Sequence, residues 1–187
     1  GKTMVIKYGG NAMINETLKN AVMNDLVTLT LLGVRVVLVH GGGPAINEMR
    51  KKVGVERHYA GGLRVTAAAA MEIVQQVQAG TVGEIVHVDP TLISSLLDSG
   101  YIPVIATVGM DDLGQAYNVN ADTAAAQIAI ALKAEKLVSM TDIAGLLRDK
   151  EDESTLIPEV EVSEIEGYKS AGIIAGGMIP KIGGMAD

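Results

Sequence analysis

Apolar positions along this chain follow two alternating rhythms. Short runs without polar alternation recur at residues 3–8, 34–40, 102–108 and 136–141. Val36, Val37, Leu38 and Val39 typify them, since a β-branched-rich run of this kind suits a strand buried on both faces of a parallel sheet. Between the runs the period lengthens. Residues 15–32 place Leu18, Val22, Leu26 and Leu29 three or four apart and are followed by Gly33, which predicts an amphipathic helix with its stop. Asp89-Pro90 opens a short second helix through Leu97 that ends at Gly100, and the alanine-rich residues 121–133 predict a third, capped by Asn120 or a neighbour. Ser163 and Glu166 have the spacing of a capping box. Strands alternating with helices at this spacing predict an α/β fold, an open and mainly parallel sheet sandwiched between helices in three layers. No internal repeat is found.

Two stretches break the rhythm. Residues 66–73, TAAAAMEI, carry an unusually plain alanine run, and QQVQAGTVGEIVHVDP passes from a helical to a strand pattern without a proper turn. A break in the chain between about Val77 and Glu84 is therefore expected. Gly183-Gly184-Met185-Ala186-Asp187 falls in the middle of a helical pattern, so further residues are expected beyond it.

Composition narrows the class. The 187 residues are 48% hydrophobic yet include no Phe and no Trp, so the core must be aliphatic. Mean hydropathy is +0.30. A net charge of -7 and a pI near 5.0 argue against nucleic acid or an anionic membrane as the main partner. No cysteine is present, which excludes a disulfide framework and a thiolate metal site. No apolar run is long enough to span a bilayer and no secretory leader pattern opens the chain, so a soluble cytoplasmic protein is the expectation.

Candidate chemistry gathers in four stretches placed where open α/β sheets hold ligands, beyond the carboxyl ends of the strands. In KYGGNA, Lys7 ends the first strand beside Gly9 and Gly10. In VVLVHGGGPAINEM, a strand runs into Gly41, Gly42 and Gly43 and then a helix opened by Pro44, which suits an anion cradle of backbone N–H groups. The dinucleotide fingerprint fails there, because Ile46 stands where its third small residue belongs. A Walker A loop fails too, since Gly1-Lys2-Thr3 leads into a strand. In YNVNADTAAA, capping explains one asparagine but not both Asn118 and Asn120 together with Asp122. In AGGMIPKIGG, Gly176 and Gly177 precede a helix that carries Lys181 in its first turns. His40 reads as structural, bracing the glycine loop, and His58 and His87 as surface residues. No H-x-x-x-H or H-E-x-x-H spacing supports a metal site.

Together, KYGGNAM, VHGGGPAINEM, AGGLRVT, YNVNADTAAA, SMTDIAGL and AGGMIPKI resemble the N-acetylglutamate kinases of the amino acid kinase superfamily, in order and across essentially the whole chain. The resemblance implies an amino acid kinase-like three-layer fold and ATP-dependent phosphorylation of the side-chain carboxylate of N-acetyl-L-glutamate in arginine biosynthesis, with Mg²⁺ arriving on ATP. It implies that Lys7 and Lys181 stabilise the transferring phosphoryl group and that Asp122 organises them. Gly9, Gly10 and Gly42 would bind phosphate, and Gly42, Gly43, Arg64 and Asn118 the acetylglutamate, Arg64 and Asn118 at its α-carboxylate. Ser139, Thr141, Asp142, Gly145, Leu146, Gly177 and Met178 would line the nucleotide pocket. The same resemblance divides the chain into an acetylglutamate-binding and dimerisation lobe, 1–110, and an ATP-binding lobe, 111–187. It implies a homodimer or a hexamer of dimers, and in some members a PII-type signalling protein as partner. Against the family pattern, several dozen residues are short between MEIVQQV and EIVHVDP, and the last helix and final strands are missing. The N-terminal helix that marks the arginine-inhibited hexamers is not found from Gly1 onward. The alternatives are a related kinase, such as one for acetylaminoadipate, and a non-catalytic amino-acid sensor of the same fold. The sensor would have no use for Lys7, Asp122 and Lys181 together.

Overall fold

The computed structural model describes residues 1–9, 13, 15–41, 58–60, 63–65, 81–141 and 143–186. Its main sheet holds β1 (Thr3–Tyr8), β2 (Arg35–His40), β6 (Val104–Ala106) and β9 (Lys136–Ser139) in the order β6-β2-β1-β9. All three pairings are parallel. Parallel neighbours need crossovers, and helices supply them. α1 (Glu16–Leu31) links β1 to β2, and α3 (Ala121–Ala131) precedes β9. α2 (Thr91–Asp98) precedes β6.

The two apolar faces expected of these strands are both filled. Val5, Val37 and Val39 pack in one cluster with Leu97 of α2 and Ala124, Ala125 and Ile128 of α3. Ile6, Tyr8, Val36 and Leu38 point to the other side, against Val22 and Leu26 of α1. Val5, Val37 and Val39 are 0% exposed, and burial of each such side chain contributes roughly 1.5–3 kcal/mol. This is the three-layer α/β arrangement. A third cluster, Leu146, Ile157, Ile165 and Ile174, lies in the later part of the chain around 3₁₀ turns at Glu153–Thr155 and Val162–Glu164 and the short helix α4 (Ile165–Ser170). The last helix, α5 (Met178–Ala186), packs on α3.

Helix signals hold at both ends. Asn15 accepts hydrogen bonds from the N–H groups of Thr17 and Leu18, and Asn120 from those of Asp122 and Thr123. Gly33 and Gly100 follow α1 and α2 with φ of 85° and 80°, the left-handed stop that glycine takes without a Cβ clash.

Four boundaries depart from the sequence pattern. The run 102–108 is two strands, because Thr107 turns the chain out of the main sheet and its carbonyl accepts a bond from Val119 N–H. Beyond it, β7 (Val108–Met110) joins a small sheet with β8 (Ala116–Asn118) and β5 (Thr81–Val82). The run 136–141 ends as a strand at Ser139. Residues 83–90 form no strand, since Ile85 and Val88 face the first core cluster three positions apart while Val86 and His87 are exposed. The capping contact near residue 163 sits two residues earlier than expected: Glu161 N–H donates to the Glu164 carboxylate, and Ser163 lies inside the turn. A two-stranded antiparallel pair, β3 (His58–Ala60) with β4 (Leu63–Val65), completes the described strands. The expected helix after Pro44 and the stretch 66–77 lie outside the described residues.

Candidate active site

Lys7 occupies the next-to-last position of β1, on the same side as Val5 and so toward the α3 layer. An apolar face that ends in a lysine has to supply that ammonium with a partner, because a buried charge without one is costly. Asp122 is the partner. Its carboxylate Oδ1 lies 3.2 Å from Lys7 Nζ. Lys181 Nζ reaches the same carboxylate from α5, at 3.4 Å from Oδ1 and 3.5 Å from Oδ2. The three side chains are only 11%, 14% and 17% exposed for Lys7, Asp122 and Lys181 respectively, so solvent screening is weak.

The local sequence explains how Asp122 becomes available. It sits in the first turn of α3, where a carboxylate commonly caps the helix. Asn120 already does the capping, through its side-chain oxygen to the N–H groups of Asp122 and Thr123. Asp122 is thereby left to face the sheet. Ser139, which ends β9 directly beside Lys7 in the register, also reaches it: Ser139 Oγ donates to Asp122 Oδ1 at 3.4 Å.

Two ammonium groups share one carboxylate, so the cluster keeps an excess positive charge. Burial pushes the pKa of Lys7 below its ordinary value; Asp122 pulls it up and the neighbouring Lys181 pushes it down. A group of this kind can hold a multiply charged anion beyond the strand ends and stabilise negative charge as it moves. Gly9 leaves room for it, since a Cβ there would lie 3.3 Å from Lys7 Nζ and 3.4 Å from its Cε. Gly41 is a second close approach, where a Cβ would meet the Ala121 Cβ at 3.1 Å.

The remaining expected residues fall in different places. Asn118 ends β8, paired with Val108 and Val82, four residues before Asp122. Arg64 lies in β4 opposite Tyr59. Thr141 is exposed just past β9, and Gly177 is exposed just before α5. Leu146 is buried in the third core cluster and Met178 packs against it, with Gly145 preceding Leu146. His40 ends β2 opposite Tyr8 and next to Ala106, and His87 is exposed as expected. Gly10, Gly42, Gly43 and Asp142 lie outside the described residues. The contact of Ser139 with Asp122 is not legible in the sequence, because register between strands far apart along the chain leaves no local signal.

Comparison with known proteins agrees with this geometry. A model of the amino acid kinase family matches residues 2–87 and 80–187. The acetylglutamate kinase of Actinobacillus pleuropneumoniae serotype 3 (strain JL03) is 51% identical over 223 aligned positions, which cover 100% of this chain and 78% of that protein. The chloroplastic acetylglutamate kinase of Arabidopsis thaliana is 44% identical over 222 positions, covering 97% of this chain and 64% of the relative. Among solved structures, smu.665 from Streptococcus mutans UA159 superposes with a TM-score of 0.81 at 26% identity, covering 98% of this chain and 89% of that one. With the family matched along its length and relatives at this identity, the chain belongs to the amino acid kinase family, in its acetylglutamate kinase branch.

Proposed function

We propose that the protein transfers the γ-phosphoryl group of ATP to the side-chain carboxylate of N-acetyl-L-glutamate, yielding ADP and N-acetyl-L-glutamyl 5-phosphate, a step of arginine biosynthesis. The Lys7–Asp122–Lys181 cluster carries the reading. Identity of 51% and 44% to acetylglutamate kinases supports the choice of acceptor.

The chemistry asks little more than position and charge. An acceptor carboxylate oxygen attacks the γ-phosphorus as the bond to the β,γ-bridging oxygen breaks, and the electron pair leaves on ADP. The acceptor is already an anion, so no general base is required. Two anions must approach each other, however, and cations have to flank the line of transfer. Lys7 and Lys181 take that role, one at the transferred group and one at the departing oxygen, with Asp122 holding both directions. N–H groups of Gly9, Gly10 and Gly42 bind phosphate oxygens. Gly42, Gly43, Arg64 and Asn118 hold acetylglutamate, and arginine's planar fork suits its α-carboxylate. Ser139, Thr141, Asp142, Gly145, Leu146, Gly177 and Met178 line the nucleotide pocket in this reading. Mg²⁺ comes with the nucleotide. Lobes 1–110 and 111–187, a homodimeric or hexameric assembly, a PII-type partner and a cytoplasmic location belong to the same reading and rest on the family resemblance. No helix among the described residues is long and apolar enough to cross a membrane.

The test is turnover. Purified protein with Mg-ATP and N-acetyl-L-glutamate is expected to form an acyl phosphate that hydroxylamine traps as a hydroxamate. Parallel reactions offer acetylaminoadipate and carbamate. Turnover of either of these with none of acetylglutamate would reassign the acceptor, and ATP binding without any turnover would favour a sensor.

A further inference from the structure

Ser139 stands at the junction of three charged side chains, and the resemblance assigns it only a place along the nucleotide. Its geometry suits another role. We propose that Ser139 is a positioning residue, which fixes the Asp122 carboxylate between the two lysines. The inference rests on the kinase reading for its catalytic consequence, though its geometry does not.

Three observations carry it. Ser139 is the register partner of Lys7 on the adjacent parallel strand, and register partners share a face, so both side chains emerge toward α3. Its hydroxyl donates to Asp122 Oδ1 at 3.4 Å. The same oxygen takes Lys7 at 3.2 Å and Lys181 at 3.4 Å, while Oδ2 has one longer contact, to Lys181 at 3.5 Å. The carboxylate is therefore held mainly through one oxygen, and rotation about its Cβ–Cγ bond would redistribute both lysines.

Ammonium groups alone are poor anchors against that rotation. They sit on long flexible stems and repel each other, so each gains by drawing the carboxylate its own way. A hydroxyl from a strand is short, neutral and rigidly placed. It restrains the carboxylate without adding a third positive charge to a site that already has two. A serine proton directed at Asp122 is also not available to donate to a nucleotide. The ordinary alternative is a strand-end serine satisfied by the nearest acceptor with no consequence for turnover.

Ser139→Ala and Ser139→Thr, each compared with the wild-type protein, separate these cases. In the hydroxamate assay Ser139→Ala is expected to lower kcat roughly three- to tenfold, the size of one ordinary lost hydrogen bond, since the contact is long at 3.4 Å. The KM for ATP should stay within about twofold, because the lost interaction serves the transition state. Ser139→Thr keeps the hydroxyl and suits a strand, so it should restore most of the rate. An unchanged kcat in Ser139→Ala, a loss carried by the ATP KM, or a threonine variant as slow as alanine would overturn the proposal. A second measurement needs no turnover: reductive methylation of Lys7 with formaldehyde and cyanoborohydride, followed by mass spectrometry. A loosened carboxylate should speed Lys7 labelling by roughly twofold or more. Unchanged labelling overturns the positioning role, whereas a wild-type protein that forms no acyl phosphate overturns the kinase reading and leaves the labelling result to stand.

Discussion

Asp122 separates two explanations that the sequence leaves side by side. As a helix-end acid it would be worth about 0.3–1 kcal/mol of stability. As the hub of Lys7 and Lys181 it should matter chiefly to turnover. Asp122→Asn, which keeps shape and removes charge, is expected to fold normally yet lose about two orders of magnitude or more in kcat, as preorganised electrostatic groups do. Combining it with Lys181→Ala should cost much less than the product of the two single effects, since groups acting as a unit are non-additive. A multiplicative double mutant would show that Asp122 and Lys181 act independently. Lys7 adds a pH signature. Its pKa is held below the ordinary 10.5 chiefly by burial, so the active charged form is lost at lower pH than for a solvated lysine. Activity should therefore fall on an alkaline limb that begins below 10.5. Stability moves the other way. Between the lowered folded value and 10.5 the unfolded chain binds more protons at this site, so its contribution to stability rises with pH across that window. Kinetic and melting profiles of the wild type against Lys7→Met would resolve the two opposite slopes.

At the scale of elements, α3 joins fold to site. Its start is set by Asn120 and its body by the alanines packed under β1 and β2, so Asp122 inherits its place from the helix. Asn120→Ala should lower stability by about 0.5–2 kcal/mol as a lost cap. Denaturant melts would show it as a lowered midpoint. The other end of α3 is less favourable. Lys133 takes the stop position with φ of 49°, where α1 and α2 have glycine. An L-residue in that conformation bears a Cβ penalty, so Lys133→Gly is expected to stabilise the protein by about 0.5–1 kcal/mol after the entropy of glycine is set against it. A lowered midpoint would show that the lysine side chain makes up for its backbone.

For the whole molecule, the two matches to the family overlap at residues 80–87, and the 223 positions aligned with the Actinobacillus kinase exceed the chain's 187 residues by 36. The abrupt change of pattern between Val77 and Glu84 falls at the same place. If residues are missing there from the chain of the source organism, cleavage of the natural protein after glutamate should not release the peptide 73–84, IVQQVQAGTVGE. Mass-spectrometric recovery of that peptide would make the shortened chain genuine.

Much of the scaffold was legible in the sequence. Continuous apolar runs mark strands that must be covered twice, and the run from Val36 to Val39 is indeed packed on both faces. Asn15, Asn120, Gly33 and Gly100 act on backbone only a few residues away, so their signals are local and their helix ends fall where the pattern put them. Lys7, Asp122 and Lys181 were recognisable by residue type and resemblance, but nothing local says that they meet. Tertiary structure decided that, through the order β2-β1-β9, which sets Ser139 beside Lys7, and through the packing of α5 on α3, which brings Lys181 to Asp122 across 59 residues. It also decided where the run 102–108 breaks, because a strand ends where its neighbour and its hydrogen-bond partners change, and the Thr107 carbonyl accepts from Val119 N–H. Chain-local chemistry determines which elements form and where they stop; contacts between elements distant in sequence determine which charges share a site.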